Sequence, residues 1–226
     1  MKKKGFTLAE VLISLGIVGV IAALTLPSLV SSTGTAQIGP KLAKAVSAFE
    51  QANEAMLNAH SVDTLTDTGF LTNDTTYANE LENFLKVSKF TYPSDVAQTA
   101  TNSSGACSVP SGFSSGLPLL SKDGILYVVH KTFSSPDSSK APHKQLIGTV
   151  WVDINGSAKP NDTGTDIFAF AWYNDGSLRP VGGSNWYEGD TSACSWRDVC
   201  KANAFASDYR ACAGHVFENN LKVLYK

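Results

Sequence analysis

The sequence predicts an α+β fold, in which one long N-terminal helix packs on an antiparallel sheet in a C-terminal head. Two patterns lead to this prediction. Apolar residues repeat at helical spacing as far as about residue 60, and beyond residue 124 they alternate with the period of two that is typical of strands. Strands that follow a helical segment, instead of alternating with helices, are characteristic of α+β proteins.

The helix begins with an apolar stretch, residues 6–30, that contains one charged residue, Glu10. A helix rises about 1.5 Å per residue, so a helix of this length crosses the ~30 Å hydrocarbon core of a bilayer. Lys2, Lys3 and Lys4 precede the stretch, and flanking lysines favour the cytoplasmic side. We therefore expect a single-pass protein of the cytoplasmic membrane, with its head outside the cytoplasm.

Glu10 is unusual because it lies one turn inside this apolar helix. A charged side chain at mid-bilayer costs about 2.5–3.5 kcal/mol on insertion scales, and less near the interface. Residues 6–30 contain no lysine or arginine, so the carboxylate needs a partner from elsewhere. A cut after Gly5 would leave a positive α-amino group on Phe6, which a neighbouring copy of the chain would offer to Glu10.

Residues 4–10, KGFTLAE, are followed by the apolar run and Pro27, and together they resemble the N-terminal signal of type IV pilins and type II secretion pseudopilins. The resemblance implies that a prepilin peptidase cuts after Gly5 and methylates Phe6. It also implies a division of the chain into a leader peptide, a transmembrane and filament-core helix, the amphipathic half of the same helix and a globular pilin-like head. These parts are residues 1–5, 6–30, 31–60 and 61–226.

The function implied by the resemblance is that of a structural subunit without enzymatic activity, in a type IV pilus on the cell surface or a periplasmic type II secretion pseudopilus. Its partners would be the prepilin peptidase, copies of itself and other pilins in a helical filament, an inner-membrane assembly platform, and the lipid bilayer before assembly. The chain has 20 acidic and 18 basic residues, which disfavours a nucleic-acid surface. Nucleic acid is therefore expected only if the filament takes up DNA.

Other interpretations remain open. The N-terminus would also suit a secretory signal cut after Ala36 or a plain membrane anchor, although neither has a use for Glu10. The head would also suit a membrane-anchored adhesin or calcium-dependent ligand binder. An anchored hydrolase is less favoured, because the G-x-S-x-G string at residues 112–116 lies in a loop instead of between a strand and a helix.

Beyond the apolar stretch, Pro27 is expected to bend the helix without ending it. An apolar stripe with one asparagine should then pack on the sheet, and its members are Leu42, Ala45, Val46, Phe49, Ala52, Asn53 and Met56. A second helix should be capped by Asp74. Strands are expected at residues 124–130, 146–154, 167–173 and 178–181.

In the third of these strands three aromatic residues alternate with Ala169 and Ala171, and the small alanines should leave room for a helix. The C-terminal part should contain a short helix at residues 197–206 and a final hairpin of residues 215–217 and 221–225. The closing segment, residues 212–225, also resembles the usual end of pilin heads.

Four cysteines, Cys107, Cys194, Cys200 and Cys212, follow the anchor, where an oxidising compartment permits disulfides. Four cysteines allow three pairings, and we favour a bridge from Cys212 to Cys194 or Cys200. No cofactor is certain. Asp153, Asn155 and Asp166 supply the oxygen ligands that calcium prefers, but the loop lacks the EF-hand pattern, and such residues are also common turn formers, so a hydrogen-bonded structural loop is the favoured interpretation.

Overall fold

A computed structural model describes residues 7–91, 116–131, 140–158, 164–182 and 212–221, with backbone alone for residues 26–35. The helices are α1 (Leu8–His60), α2 (Asp74–Leu85), a short 3-10 helix (Pro142–Lys144) and α3 (Cys212–Glu218). The strands are β1 (Val87–Lys89), β2 (Leu117–Ser121), β3 (Leu126–Lys131), β4 (Leu146–Asp153), β5 (Ile167–Tyr173) and β6 (Leu178–Pro180). The chain divides into two compact units, Met1–Gln37 and Ile38–Lys226.

The six strands form one antiparallel sheet in the order β1-β2-β3-β4-β5-β6. Every strand therefore pairs with its neighbours in sequence, and the longest ladders join β3 to β4 and β4 to β5. An apolar N-terminal helix together with an antiparallel sheet and further helices confirms the predicted α+β class, and the arrangement is consistent with a pilin-like fold.

The predicted apolar stripe of α1 is buried against the sheet, and Leu42, Phe49 and Met56 are fully inaccessible to solvent. The Phe49 ring stacks on Tyr127 with centroids 5.6 Å apart and meets Trp172 edge-on at 6.2 Å. Burying one such large apolar side chain is worth about 1.5–3 kcal/mol, so the stripe is the main attachment of this part of α1. The helix is assigned without interruption through Pro27, as predicted, while the bend at Pro27 stays a prediction.

The face of β5 that α1 covers is the aromatic one, which corrects the prediction that a helix lies on the alanines. Phe170 and Trp172 belong to the same core cluster as the α1 stripe. Ala169 lies on the opposite face, directly beside Trp151 of β4 in the sheet register. The small residue therefore makes room for a large cross-strand neighbour, and the aromatic residues fill the space beneath the helix.

Other local predictions also need correction. The cap of α2 is Asn73, whose Oδ1 accepts from the Thr76 N–H at 2.8 Å, while Asp74 lies in the first turn and accepts from the Lys131 N–H. Strands β1 and β2 were not predicted. Residues 212–218 form α3 instead of strand, because Cys212, Ala213, Val216 and Phe217 have helical spacing and pack on β5. The predicted helix at 197–206 lies outside the described residues.

A polar cluster joins α1 to the β5–β6 turn. Asn53 donates to the Gly176 carbonyl oxygen at 3.0 Å and accepts a hydrogen bond from the Tyr77 hydroxyl. Glu50 Oε1 accepts from the Leu178 N–H at 2.8 Å. Asn174 in the same turn donates to Gln145 Oε1 at 2.6 Å. Most buried polar groups in proteins are hydrogen-bonded, and the bonds of Asn53 and Glu50 hold α1 at a defined position along the sheet.

Candidate functional site

The first turn of α1 holds the one acidic residue of the apolar helix in a capping box. The Thr7 N–H and the Thr7 hydroxyl both donate to Glu10 Oε2 at 2.8 Å. In return, the Glu10 N–H donates to Thr7 Oγ1 at 3.3 Å, and the Thr7 carbonyl oxygen accepts from the Val11 N–H at 3.2 Å. This reciprocal arrangement satisfies donors at the helix N-terminus that would otherwise lack partners.

The remaining polar side chains of this segment are satisfied within the helix. Ser14 Oγ donates to the Glu10 carbonyl oxygen at 2.8 Å, and Thr25 Oγ1 donates to the Ile21 carbonyl oxygen at 2.9 Å. A hydroxyl that bonds to its own helix needs no water, which suits it to a lipid environment. Leu8–Thr25 is long and apolar enough to cross a membrane.

The apolar side chains of the segment are exposed on all sides of the helix. Leu8 is 80% and Leu24 is 75% exposed, and none of this surface is covered within the described residues. A shallow groove runs along one side, lined by Ile13, Gly16, Ile17, Val20 and Ile21. A contiguous apolar surface of this kind marks a site for lipid or for other apolar helices, and glycines permit close helix approach.

Residues 1–26 match the family model of the prokaryotic N-terminal methylation motif, which is the signal of type IV pilins and pseudopilins. The motif supports a type IV pilin-like precursor, and with the apolar helix it indicates a membrane-anchored protein. A search of curated proteins found no match to the chain, and a search of the solved structures found none either.

Two of the residues that the pilin signal makes important, Gly5 and Phe6, lie outside the described residues. Glu10 is described and accepts two hydrogen bonds from Thr7 of its own chain, while its pairing with the Phe6 amine of a neighbouring copy stays a prediction. The sequence contained the signal for this local partner, because threonine followed three positions later by glutamate is the capping-box pattern. Thr7 is therefore the site residue that reasoning from the sequence missed.

The predicted cysteine sites are described only in part. Cys212 is fully buried at the start of α3 and is disulfide-bonded. Cys107, Cys194 and Cys200 lie outside the described residues. The pairing of Cys212 with Cys194 or Cys200 therefore stays a prediction.

The predicted calcium residues lie around one turn after β4. Asp153 and Asp166 are buried, and Asp153 Oδ1 accepts from the Asn155 N–H at 3.0 Å. The Asp166 carbonyl oxygen accepts from the Ile154 N–H at 3.0 Å, which closes the loop at its base. Among the described residues no group of three His, Cys, Asp or Glu side chains is placed to hold a metal ion. These bonds are those of a turn, and calcium binding stays a prediction.

Proposed function

We propose that this chain is a structural subunit of a type IV pilus or a type II secretion pseudopilus. It is cleaved after Gly5, N-methylated on Phe6 and assembled through α1. The observation that carries this proposal is that the N-terminal methylation motif coincides with an exposed apolar helix whose one acidic residue is Glu10. The motif points to a structural role, and a catalytic role is not proposed.

The mechanism is a transfer of the apolar helix from lipid to a bundle of like helices. In the membrane the exposed side chains of Leu8–Thr25 contact acyl chains, and in the filament they contact the same segment of neighbouring subunits. Glu10 of one subunit then neutralises the Phe6 amine of the next. Buried polar pairs of this kind act best as register devices, so the pair sets the axial spacing of subunits.

The orientation follows from the lysines of the leader. Lys2, Lys3 and Lys4 keep the N-terminus cytoplasmic, where a prepilin peptidase removes the leader, and the head lies on the other side of the membrane. The partners proposed are this peptidase, the inner-membrane assembly platform, and other pilins or copies of the chain. The disulfide at Cys212 suits that compartment.

Mass spectrometry of the N-terminal peptide tests the processing. The native protein, recovered from cell membranes and from sheared surface filaments, should yield a peptide that begins with N-methylated Phe6. A peptide that begins after Ala36 would identify a secretory signal and overturn the proposal. An uncut N-terminus would identify a plain anchor.

Glu10→Ala tests the assembly role. We expect the variant to insert into the membrane at the wild-type level, because removing a charge favours insertion. It should lose filaments or form filaments of irregular axial spacing, as seen by electron microscopy. Asp63→Ala, which removes an exposed acidic residue of the head, is the matched control and should assemble normally. Regular filaments from Glu10→Ala would contradict the proposal.

Calcium binding at the loop of Asp153, Asn155 and Asp166 can be tested independently of assembly, by thermal melting. A ligand that binds only the folded state raises the melting temperature, and the rise grows with the logarithm of the ligand concentration above its Kd. If calcium binds, adding it to the chelator-treated protein should raise the melting temperature, and Asp153→Asn should remove the shift. An unchanged melting temperature would leave the loop a hydrogen-bonded turn.

A further inference from the structure

The capping box places the two oxygens of the Glu10 carboxylate in different environments. Oε2 accepts both Thr7 donors, the backbone N–H and the hydroxyl. Within the described part of the chain Oε1 accepts no hydrogen bond. A carboxylate oxygen has about two acceptor positions, so Oε1 keeps its full capacity to bind a cation.

The two hydrogen bonds from Thr7 stabilise the ionised carboxylate of Glu10 before a second subunit binds. Hydrogen bonds to the ionised form offset part of the cost of removing a carboxylate from water. The same bonds hold the Glu10 side chain back against residue 7 and so fix the direction of Oε1. A side chain that is already ordered loses less entropy when it binds a partner.

We propose that Thr7 is a positioning residue, which holds Glu10 by Oε2 and presents Oε1 to a cationic group of a second copy of this chain. This inference rests on the proposed function, in which the cation is the α-amino group of the processed N-terminus. Thr7 acts through Glu10 and does not itself need to touch the cation.

The hydroxyl of Thr7 is required twice, as the donor to Oε2 and as the acceptor from the Glu10 N–H. Serine retains both functions. Valine has the shape of threonine and keeps the backbone N–H, but it lacks the hydroxyl. Thr7→Val and Thr7→Ser therefore separate the hydroxyl from the shape of the side chain.

Simple helix capping is the competing explanation, because threonine is a favourable N-cap residue whatever lies three positions later. The two explanations differ in their dependence on the charge of Glu10. A capping effect persists when residue 10 is glutamine, whereas a positioning effect disappears with the charge it positions.

The experiment uses the full chain in cells that assemble it, with each variant co-expressed with the wild type so that weakly assembling subunits are still counted in mixed filaments. The variants are Thr7→Val, Thr7→Ser, Glu10→Gln and the double variant Thr7→Val with Glu10→Gln. Mass spectrometry gives the ratio of variant to wild type in sheared filaments. This ratio is divided by the ratio in the membrane pool of cleaved subunits, so that a defect in processing does not enter the result.

We expect Thr7→Val to reduce incorporation about tenfold, the factor that corresponds to about 1.4 kcal/mol. Thr7→Ser should remain within about twofold of the wild type, and Thr7→Val should cause no further loss in the Glu10→Gln background. Wild-type incorporation of Thr7→Val, or an equal loss in both backgrounds, would overturn the inference while leaving the proposed function intact. Wild-type chains that are not cut after Gly5, or that form no filaments, would overturn the proposed function itself.

Discussion

Two glycines of the head have positive φ but different surroundings. Gly176 has φ +84°, and a Cβ placed on it would lie 2.6 Å from the Asn53 Cβ. Gly69 has φ +76°, and a Cβ there would meet nothing within 4 Å. Replacing either glycine by alanine would therefore strain the backbone. Only at Gly176 would the new Cβ also clash with a neighbouring side chain.

Gly176→Ala should lower the free energy of unfolding by several kcal/mol, of which about 1 kcal/mol is backbone strain. Urea unfolding of the full chain in detergent, followed by tryptophan fluorescence, measures the change. Gly69→Ala is the matched control and should show the strain alone. Equal losses at the two positions would mean that α1 and the β5–β6 turn are not packed as tightly as their geometry indicates.

The partly buried carboxyl of Glu50 should make the stability of the folded head depend on pH. Burial raises the pKa of its carboxyl above the ordinary 4.5, the nearby Asp175 charge adds to the rise, and the Leu178 N–H opposes it. The folded state therefore binds more protons than the unfolded state between the two pKa values. The contribution of Glu50 to the free energy of unfolding therefore falls as the pH rises through that interval.

Glu50→Gln keeps an acceptor for Leu178 but has no charge. Relative to the wild type, the variant should gain stability as the pH rises from 4.5 towards neutrality, as measured by urea unfolding at a series of pH values. Glu54→Gln, one turn later on the exposed side of α1, controls for the loss of one negative charge. If the stability difference between Glu50→Gln and the wild type did not change with pH, the pKa of Glu50 would not be raised in the folded state.

At the scale of elements, α2 is held at its start by the Asn73 cap and by Asp74, whose Oδ1 accepts from the Lys131 N–H of β3. Asn73 Oδ1 accepts from both the Thr76 N–H and the Thr76 hydroxyl, at 2.8 and 3.1 Å. Tyr77 and Leu81 then carry the apolar face of the helix into the core, where the Tyr77 ring lies 4.6 Å from that of Trp172. The cap fixes the position at which this face begins.

Asn73→Ala should lower the free energy of unfolding by about 1 kcal/mol, the typical value for the loss of an N-cap. Asn79→Ala, in the exposed part of the same helix, removes a similar side chain without a cap and should change stability little. Denaturant unfolding of both variants compares them directly. A loss at Asn79 as large as that at Asn73 would show that the cap is not the cause.

Helices and strands could be predicted from the sequence where the apolar residues follow a single spacing, either helical or alternating. The stripe from Leu42 to Met56 gives α1, and the alternation in β5 gives a strand, but alternation alone does not say which face meets a helix. Residues 212–218 are short enough to suit either period, and packing on β5 decides for a helix. The bond between Glu50 and Leu178 joins residues 128 positions apart, so it depends on the complete sheet and leaves no local pattern.

At the scale of the whole molecule, the two compact units are built on different principles. In the described part of Ile38–Lys226, apolar residues are buried in clusters on both faces of the sheet, whereas those of Leu8–Thr25 are exposed. The first unit therefore needs lipid or neighbouring helices, and the second has a core of its own. The N-terminal site could be predicted because its signal is contiguous in sequence. No local motif in the head indicates which molecules the head binds.

A fragment of residues 36–226 should be soluble without detergent and should unfold in a single cooperative transition. Far-UV circular dichroism in urea measures this, and the full chain should require detergent under the same conditions. Phe49→Ala in the fragment should lower the free energy of unfolding by about 3–5 kcal/mol, because it removes the ring between Tyr127 and Trp172. A fragment that aggregates or melts without cooperativity would show that the head depends on the apolar helix.

The contact of Phe49 with Trp172 also has a consequence for the order in which the chain is made. Phe49 leaves the ribosome long before the strand that covers it, and at about 5–20 residues per second the interval is roughly 6 to 25 s. During this time the apolar stripe of α1 has no sheet to pack on. The first helix to be synthesised is thus among the last to be covered, and a mutation that slows the formation of β5 would prolong its exposure.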